Sequence, residues 1–182
     1  MNAKYLQDRL AAHLREISGF LKSLPEEYLH LSPDHRWTIA EELWHLMKSN
    51  AGTARLLSQP KDQLRPTTQS SRAYDDLIQE YQQKYAAASA PRGPKGSQPD
   101  NVRDISKETT IAQWSETSQA LLEHTKGWPE AEWSKYTIWK HPLLGVLTVQ
   151  EMLFFTAYHN EHHGNTVKEK YSMLSSNNRS GD

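Results

Sequence analysis

The 182-residue chain contains no cysteine. That absence removes disulfides, thiolate metal ligands and a cysteine nucleophile together. Any metal site must therefore use nitrogen and oxygen donors. Charge of one sign is also lacking: 21 lysines and arginines face 22 acidic residues, for a formal net charge of −1. No long block of like charge offsets this balance, which argues against a nucleic-acid partner, since phosphate binding needs a basic surface. No run of apolar residues approaches a membrane span, and residues 1–15 carry charges throughout instead of a signal peptide's apolar core. A cytoplasmic protein with no membrane partner is the expectation.

What the chain does hold is histidine and tryptophan, nine and six residues respectively, more than its length would usually carry. Its size suits one domain with a real hydrophobic core. Apolar residues at Leu6, Leu10, Leu14, Ile17, Leu21 and Leu24 predict an amphipathic helix over about 3–24, stopped by Pro25. The run from Thr38 to Glu41 reads as a capping box opening a second helix, with a stripe of Ile39, Leu43, Leu46, Asn50, Ala54 and Leu57. Residues 59–108 look least like a bundle. They hold a short helix with a tyrosine-rich face (Tyr74, Tyr81, Tyr85) and, over 90–104, a Pro- and Gly-rich irregular loop.

A third long helix is expected over about 109–126. Its face of Ile111, Trp114, Ser118, Leu121, Leu122 and Thr125 includes two small polar residues that suit a cavity better than a tight seam. The link containing His141, Pro142 and Gly145 reads as turns, and Thr148 caps a fourth helix reaching about Lys170, followed by a disordered tail over 171–182. With no convincing alternating strand, the fold class is all-α: a four-helix bundle in one domain, 1–170, with an extra short helix and a long loop between its second and third helices.

The fourth helix carries the sharpest chemical signal. At about 100° per residue, Met152, Thr156, His159, His163 and Val167 fall within about 80° of one another. His159 and His163 sit mid-stripe at i,i+4, close enough for both imidazoles to bind one ion, or to be two buried structural histidines. Glu161 points to the opposite side, so this is not the H-E-x-x-H arrangement. A third ligand must come from another helix. His45 lies on the flank of its helix, roughly 120° from Ile39, and periodicity alone does not choose it over His13, which shares the apolar face of the first helix. His30, His35 and His124 look like surface residues, and Trp37 and Trp44 like core or dimer-face residues.

Taken in order, Trp37-Thr38-Ile39, His45-Leu46, His141-Pro142 with Gly145 and Thr148, and His159-Asn-Glu-His162-His163 resemble the DinB-like superfamily of metal-binding bundles. The closest echo is its bacillithiol transferase branch, and the resemblance spans about 3–170 apart from 59–108. It implies an up-down-down-up bundle, frequent homodimerisation, and metal ligands at His45, His159 and His163. It thereby selects His45, which the helical wheel leaves open.

Three neutral imidazoles leave coordination positions open, the arrangement of a catalytic rather than a closed structural site. Zinc or nickel is the expected ion, with iron or copper also compatible with imidazole. The expected chemistry is transfer of a low-molecular-weight thiol to a small electrophilic substrate. Metal-dependent hydrolysis and a non-enzymatic metal-binding bundle are the alternatives. Glu42, one turn before His45, is a candidate to hold that histidine's free ring nitrogen; Tyr158, His162 and His13 are candidate pocket residues. No general acid or base stands out.

Overall fold

Asn2 accepts a hydrogen bond from the Tyr5 amide and opens α1, Ala3–Ser23, whose buried face is Leu6, Leu10, Leu14, Ile17 and Leu21. The computed structural model describes residues 2–33, 37–88 and 102–179, apart from the side chains of Arg103 and 177–179. Thr38 and Glu41 form the expected reciprocal capping box at the start of α2, Ile39–Leu57, satisfying two amides that a helix N-terminus otherwise leaves open. The remaining helices are α3, Tyr74–Ala87, α4, Lys107–Lys126, and α5, Val149–Arg179. Ser106 caps α4 and Gly127 ends it. At α5 the Thr148 hydroxyl accepts from the Glu151 amide while Glu151 accepts from the Thr148 amide.

Helix directions follow from side-chain pairs. Arg9 meets Glu161, Glu16 meets Lys168 and Phe20 meets Tyr171, so α1 and α5 run parallel. Glu42 meets His163, His45 meets His159 and Thr53 meets Thr156, so α2 is antiparallel to α5. Trp114 donates to the Leu14 carbonyl and Gln7 to that of Thr125, so α4 is antiparallel to α1. The four long helices are therefore up-down-down-up. α1 and α2 each pack between α4 and α5, and α3 lies on the outside of α5.

Two expectations need correction. The fourth bundle helix does not stop near Lys170 but runs to Arg179. Tyr171 sits edge-on to Phe20 and Tyr28, and Leu174 packs on the core, so apolar contacts carry the helix past the polar composition that suggested a tail. The link before α5 contains strands as well as turns: β2, Tyr136–His141, and β3, Gly145–Thr148, form a hairpin, with β1, Arg65–Pro66, on the far edge of β2. A register shift between Thr137 and Trp139 breaks the alternation that would have announced β2. Gly145 takes φ +75°, a conformation that favours glycine, where the hairpin turns. Residues 89–101, most of the expected loop, lie outside the described residues, as does His35.

On the α2–α5 seam Asn50 and Asn160, both fully buried, exchange two side-chain hydrogen bonds of 2.9 and 2.8 Å. Replacing one partner strands a buried carboxamide, whereas replacing both removes the demand. Asn50→Leu should therefore lose about 1–3 kcal/mol of stability in urea denaturation, and the Asn50→Leu/Asn160→Leu double variant clearly less than the sum of its singles.

Candidate metal centre

The flank of α2 is not solvent-facing, because this helix packs on α4 with one side and on α5 with the other. His45 therefore meets the histidine stripe of α5. Its Nε2 lies 3.2 Å from Nε2 of His159. Ring centroids are 5.1 Å apart for His45 and His159, 4.8 Å for His45 and His163, and 4.5 Å for His159 and His163. One nitrogen from each of the three histidines lies within 4.8 Å of the others.

This donor set fits a transition ion. Nitrogens about 2.0–2.1 Å from a common metal stand roughly 3.0–3.4 Å apart, depending on geometry, and the His45–His159 pair already has that spacing. His159 is buried, and its Nδ1 has no hydrogen-bond partner among the described residues. Burial first, then the neighbouring imidazoles of His163 and His45, hold its pKa well below the ordinary histidine range. His159 is thus kept neutral, the form in which imidazole coordinates a metal.

Glu42 plays a different part from the one expected. It is buried, and its Oε2 accepts a 2.8 Å hydrogen bond from Nδ1 of His163, not from His45. That bond fixes the tautomer of His163 and leaves Nε2 as the donor atom for an ion. The other carboxylate oxygen lies 3.8 Å from the buried Lys170 ammonium. Trp37 packs on His45 with centroids 5.0 Å apart. Glu42→Gln should weaken zinc binding about 10- to 100-fold in a competition assay with a chromophoric chelator, because the carboxamide holds the ring without its charge.

The other sequence candidates separate into two groups. Tyr158 and His162 stack at 5.9 Å, and His162 lies 5.0 Å from His163, so both adjoin the cluster on its α3 side. His13 does not line this site. It lies on the α1–α5 seam, 3.7 Å from carboxylate oxygens of Glu16 and Glu161, on the side of α5 turned away from the cluster. There Gly164 lets α1 approach closely, since an added Cβ would meet Ile17 at 3.0 Å. His30 is half-buried and bonds the Ile105 carbonyl, and His124 lines a groove between α2 and α4.

A clamp beside the site involves none of the sequence candidates. The Arg72 side chain donates to Glu151 at 2.7 Å, to Glu80 at 2.8 Å and to the Leu144 carbonyl at 3.3 Å. It thereby joins α5, α3 and the hairpin turn. His141, at the end of β2, accepts from the Leu143 and Leu144 amides through Nδ1. Burial, helped by Arg72, pushes the His141 pKa down to about 4. An unfolded histidine titrates near 6.5. Between these values the unfolded chain binds more protons, so this contribution is intact above about pH 6.5 and falls away towards pH 4, by roughly 2–3 kcal/mol. In His141→Asn, whose side-chain oxygen can still accept from the turn, the acid limb of the stability profile should be correspondingly flatter.

No helix among the described residues is long and apolar enough to cross a membrane. No curated protein matches the chain. Among solved structures it is similar to the crystal structure of TT2238, a four-helix bundle protein, with a TM-score of 0.58 and 18% identity over 92% of this chain and 98% of that one. That likeness bears on the fold. The model of the DinB superfamily matches residues 9–167, a span holding α2, the hairpin and all three clustered histidines, and on that match the chain belongs to the DinB superfamily.

Proposed function

We propose that the protein is a metal-dependent enzyme in which His45, His159 and His163 hold one divalent transition ion, zinc or nickel before iron or copper. Its reaction is transfer of a low-molecular-weight thiol to a small electrophile. The observation that carries the reading is the convergence of three imidazole nitrogens within 4.8 Å, one of them on a neutral, buried ring. An ion held by three imidazoles would lower the pKa of a thiol or water that reaches its remaining positions.

The chain's own residues favour the thiol over water as nucleophile. Glu42, the carboxylate beside the cluster, commits Oε2 to His163 and faces Lys170 with Oε1. It serves as an orienting group and is poorly placed to take a proton from water. A thiol needs less help, since its pKa of about 8.5 lies far below that of water and sulfur is intrinsically nucleophilic. In the transfer the sulfur bonds to the electrophilic carbon; a halide departs with its bonding pair while the thiol proton passes to solvent, or an epoxide C–O bond opens and its oxygen keeps the pair and takes up a proton. The bacillithiol transferase branch supports this reading through the sequence resemblance. A homodimer and a cytoplasmic setting belong to the same reading and rest on sequence considerations alone.

The test is a screen of the metal-loaded protein with bacillithiol, mycothiol, glutathione and cysteine against haloaromatic and epoxide acceptors. Turnover that requires both thiol and metal supports the transferase. Metal-dependent ester or amide cleavage without thiol would replace it with the hydrolase. A loaded protein inert in both assays would favour a binding role.

A further inference from the structure

The metal-site histidines continue into a surface of aromatic rings. Along α5, His163 meets His159, and His159 stacks on Phe155 at 5.1 Å and 24°. Phe155 meets His141 of the hairpin at 4.6 Å and Tyr81 of α3 at 5.0 Å. Tyr81 touches Tyr158, and Tyr158 returns through His162 to His163. Three elements thus converge on a ring-lined face that starts at the histidine cluster. Its outer members Tyr85 and Trp139 are exposed, at 44% and 37%.

His141 is the polar group built into this face. It is 7% exposed, and its Nδ1 is used twice as an acceptor by backbone amides. A neutral imidazole whose Nδ1 accepts must carry its proton on Nε2. The two ring nitrogens point in nearly opposite directions, so the Nε2–H is turned away from the hairpin turn that holds Nδ1. It has no hydrogen-bond partner among the described residues, yet it is not one of the polar atoms sealed from solvent. Tyr81, with its ring centroid 5.8 Å from that of His141, likewise makes no hydrogen bond through its hydroxyl among the described residues. A donor held in one tautomer, with no protein partner and open to solvent, is available to any acceptor that displaces its water.

We propose that His141 Nε2–H and the Tyr81 hydroxyl form an oxygen-binding subsite for a flat, conjugated molecule carrying a carbonyl or carboxylate group. Tyr158, a partly exposed ring that adjoins Tyr81, gives its ring system a stacking partner. One phenyl ring, Phe155, separates His141 from His159. The subsite therefore adjoins the histidine cluster across that ring. The subsite contains no proposed metal ligand, but its role as the substrate's anchor rests on the metal-dependent reading above.

The test follows His141 by long-range ¹H–¹⁵N NMR in metal-free and zinc-loaded protein during titration with benzoate and benzamide, with acetate as the non-aromatic control. The spectrum should show an Nε2-protonated ring before ligand is added. Benzoate or benzamide should then shift Nε2–H with millimolar affinity in both forms of the protein, and acetate about 10-fold more weakly. Tyr81→Phe, which keeps the ring, should weaken binding about 3- to 10-fold. Whichever aromatic probe binds better identifies the charged or the neutral oxygen as the preferred group. An Nδ1-protonated ring, or no response to either aromatic probe, overturns the proposal. Failure of zinc loading alone would remove the metal-dependent reading while the metal-free titration still reports on the subsite.

Discussion

His159→Ala should reduce zinc affinity about 1000-fold or more while the metal-free bundle remains folded. Structural zinc binding by a complete ligand set is worth roughly 10–16 kcal/mol, so removing one of three protein ligands should remove several of them. His159 is the most consequential of the three. It is the buried member, lies 3.2 Å from His45, and has its ring held neutral by burial. Its loss in the metal-free protein is milder, because the ring is an imperfectly satisfied polar group whose Nδ1 has no partner among the described residues. The signature is therefore a split: zinc affinity collapses, while the urea midpoint of the metal-free protein moves little. A variant that unfolds without metal would instead mark His159 as a core residue.

The second large effect falls on Arg72. Burial works against the charge of Glu151, but hydrogen bonds from the Arg72 side chain and backbone and from Thr148 outweigh it and hold the carboxyl below its usual range. The Glu151 side chain is fully inaccessible. Arg72→Ala leaves that carboxylate with backbone donors alone, and should destabilise the protein by about 2–4 kcal/mol at neutral pH. Because Arg72 also holds the Leu144 carbonyl, the variant should loosen the hairpin turn and move His141. Faster amide exchange at Leu143 and Leu144, beyond that in an equally destabilised core variant, is the expected result.

The long helices were legible because their apolar residues recur with a helical period and Thr38 and Gly127 mark ends by local chemistry. The histidine pair on α5 was legible for the same reason, since i,i+4 spacing determines a shared face. His45 was not, because a single helix does not reveal which flank a neighbour will cover. Only the packing of α2 on both α4 and α5, or a family resemblance, supplies that. The sequence puts Glu42 near His45 but does not reveal its partner, since its bond crosses to His163 on α5 instead of running along its own helix. The hairpin leaves no clear alternation in the sequence because β2 is short and interrupted by a register shift. Arg72 escaped because its partners are 8, 72 and 79 residues away, and long-range polar clamps leave no periodic trace.

The most direct test of the metal centre is elemental mass spectrometry with X-ray absorption spectroscopy on protein purified without a histidine tag and, if needed, reconstituted. The three-histidine site predicts about one equivalent of zinc, nickel, iron or copper per chain, with imidazole scattering from three nitrogen ligands at about 2.0–2.1 Å for zinc. No bound metal after reconstitution with each of these ions, or an ion without imidazole scattering, would contradict it.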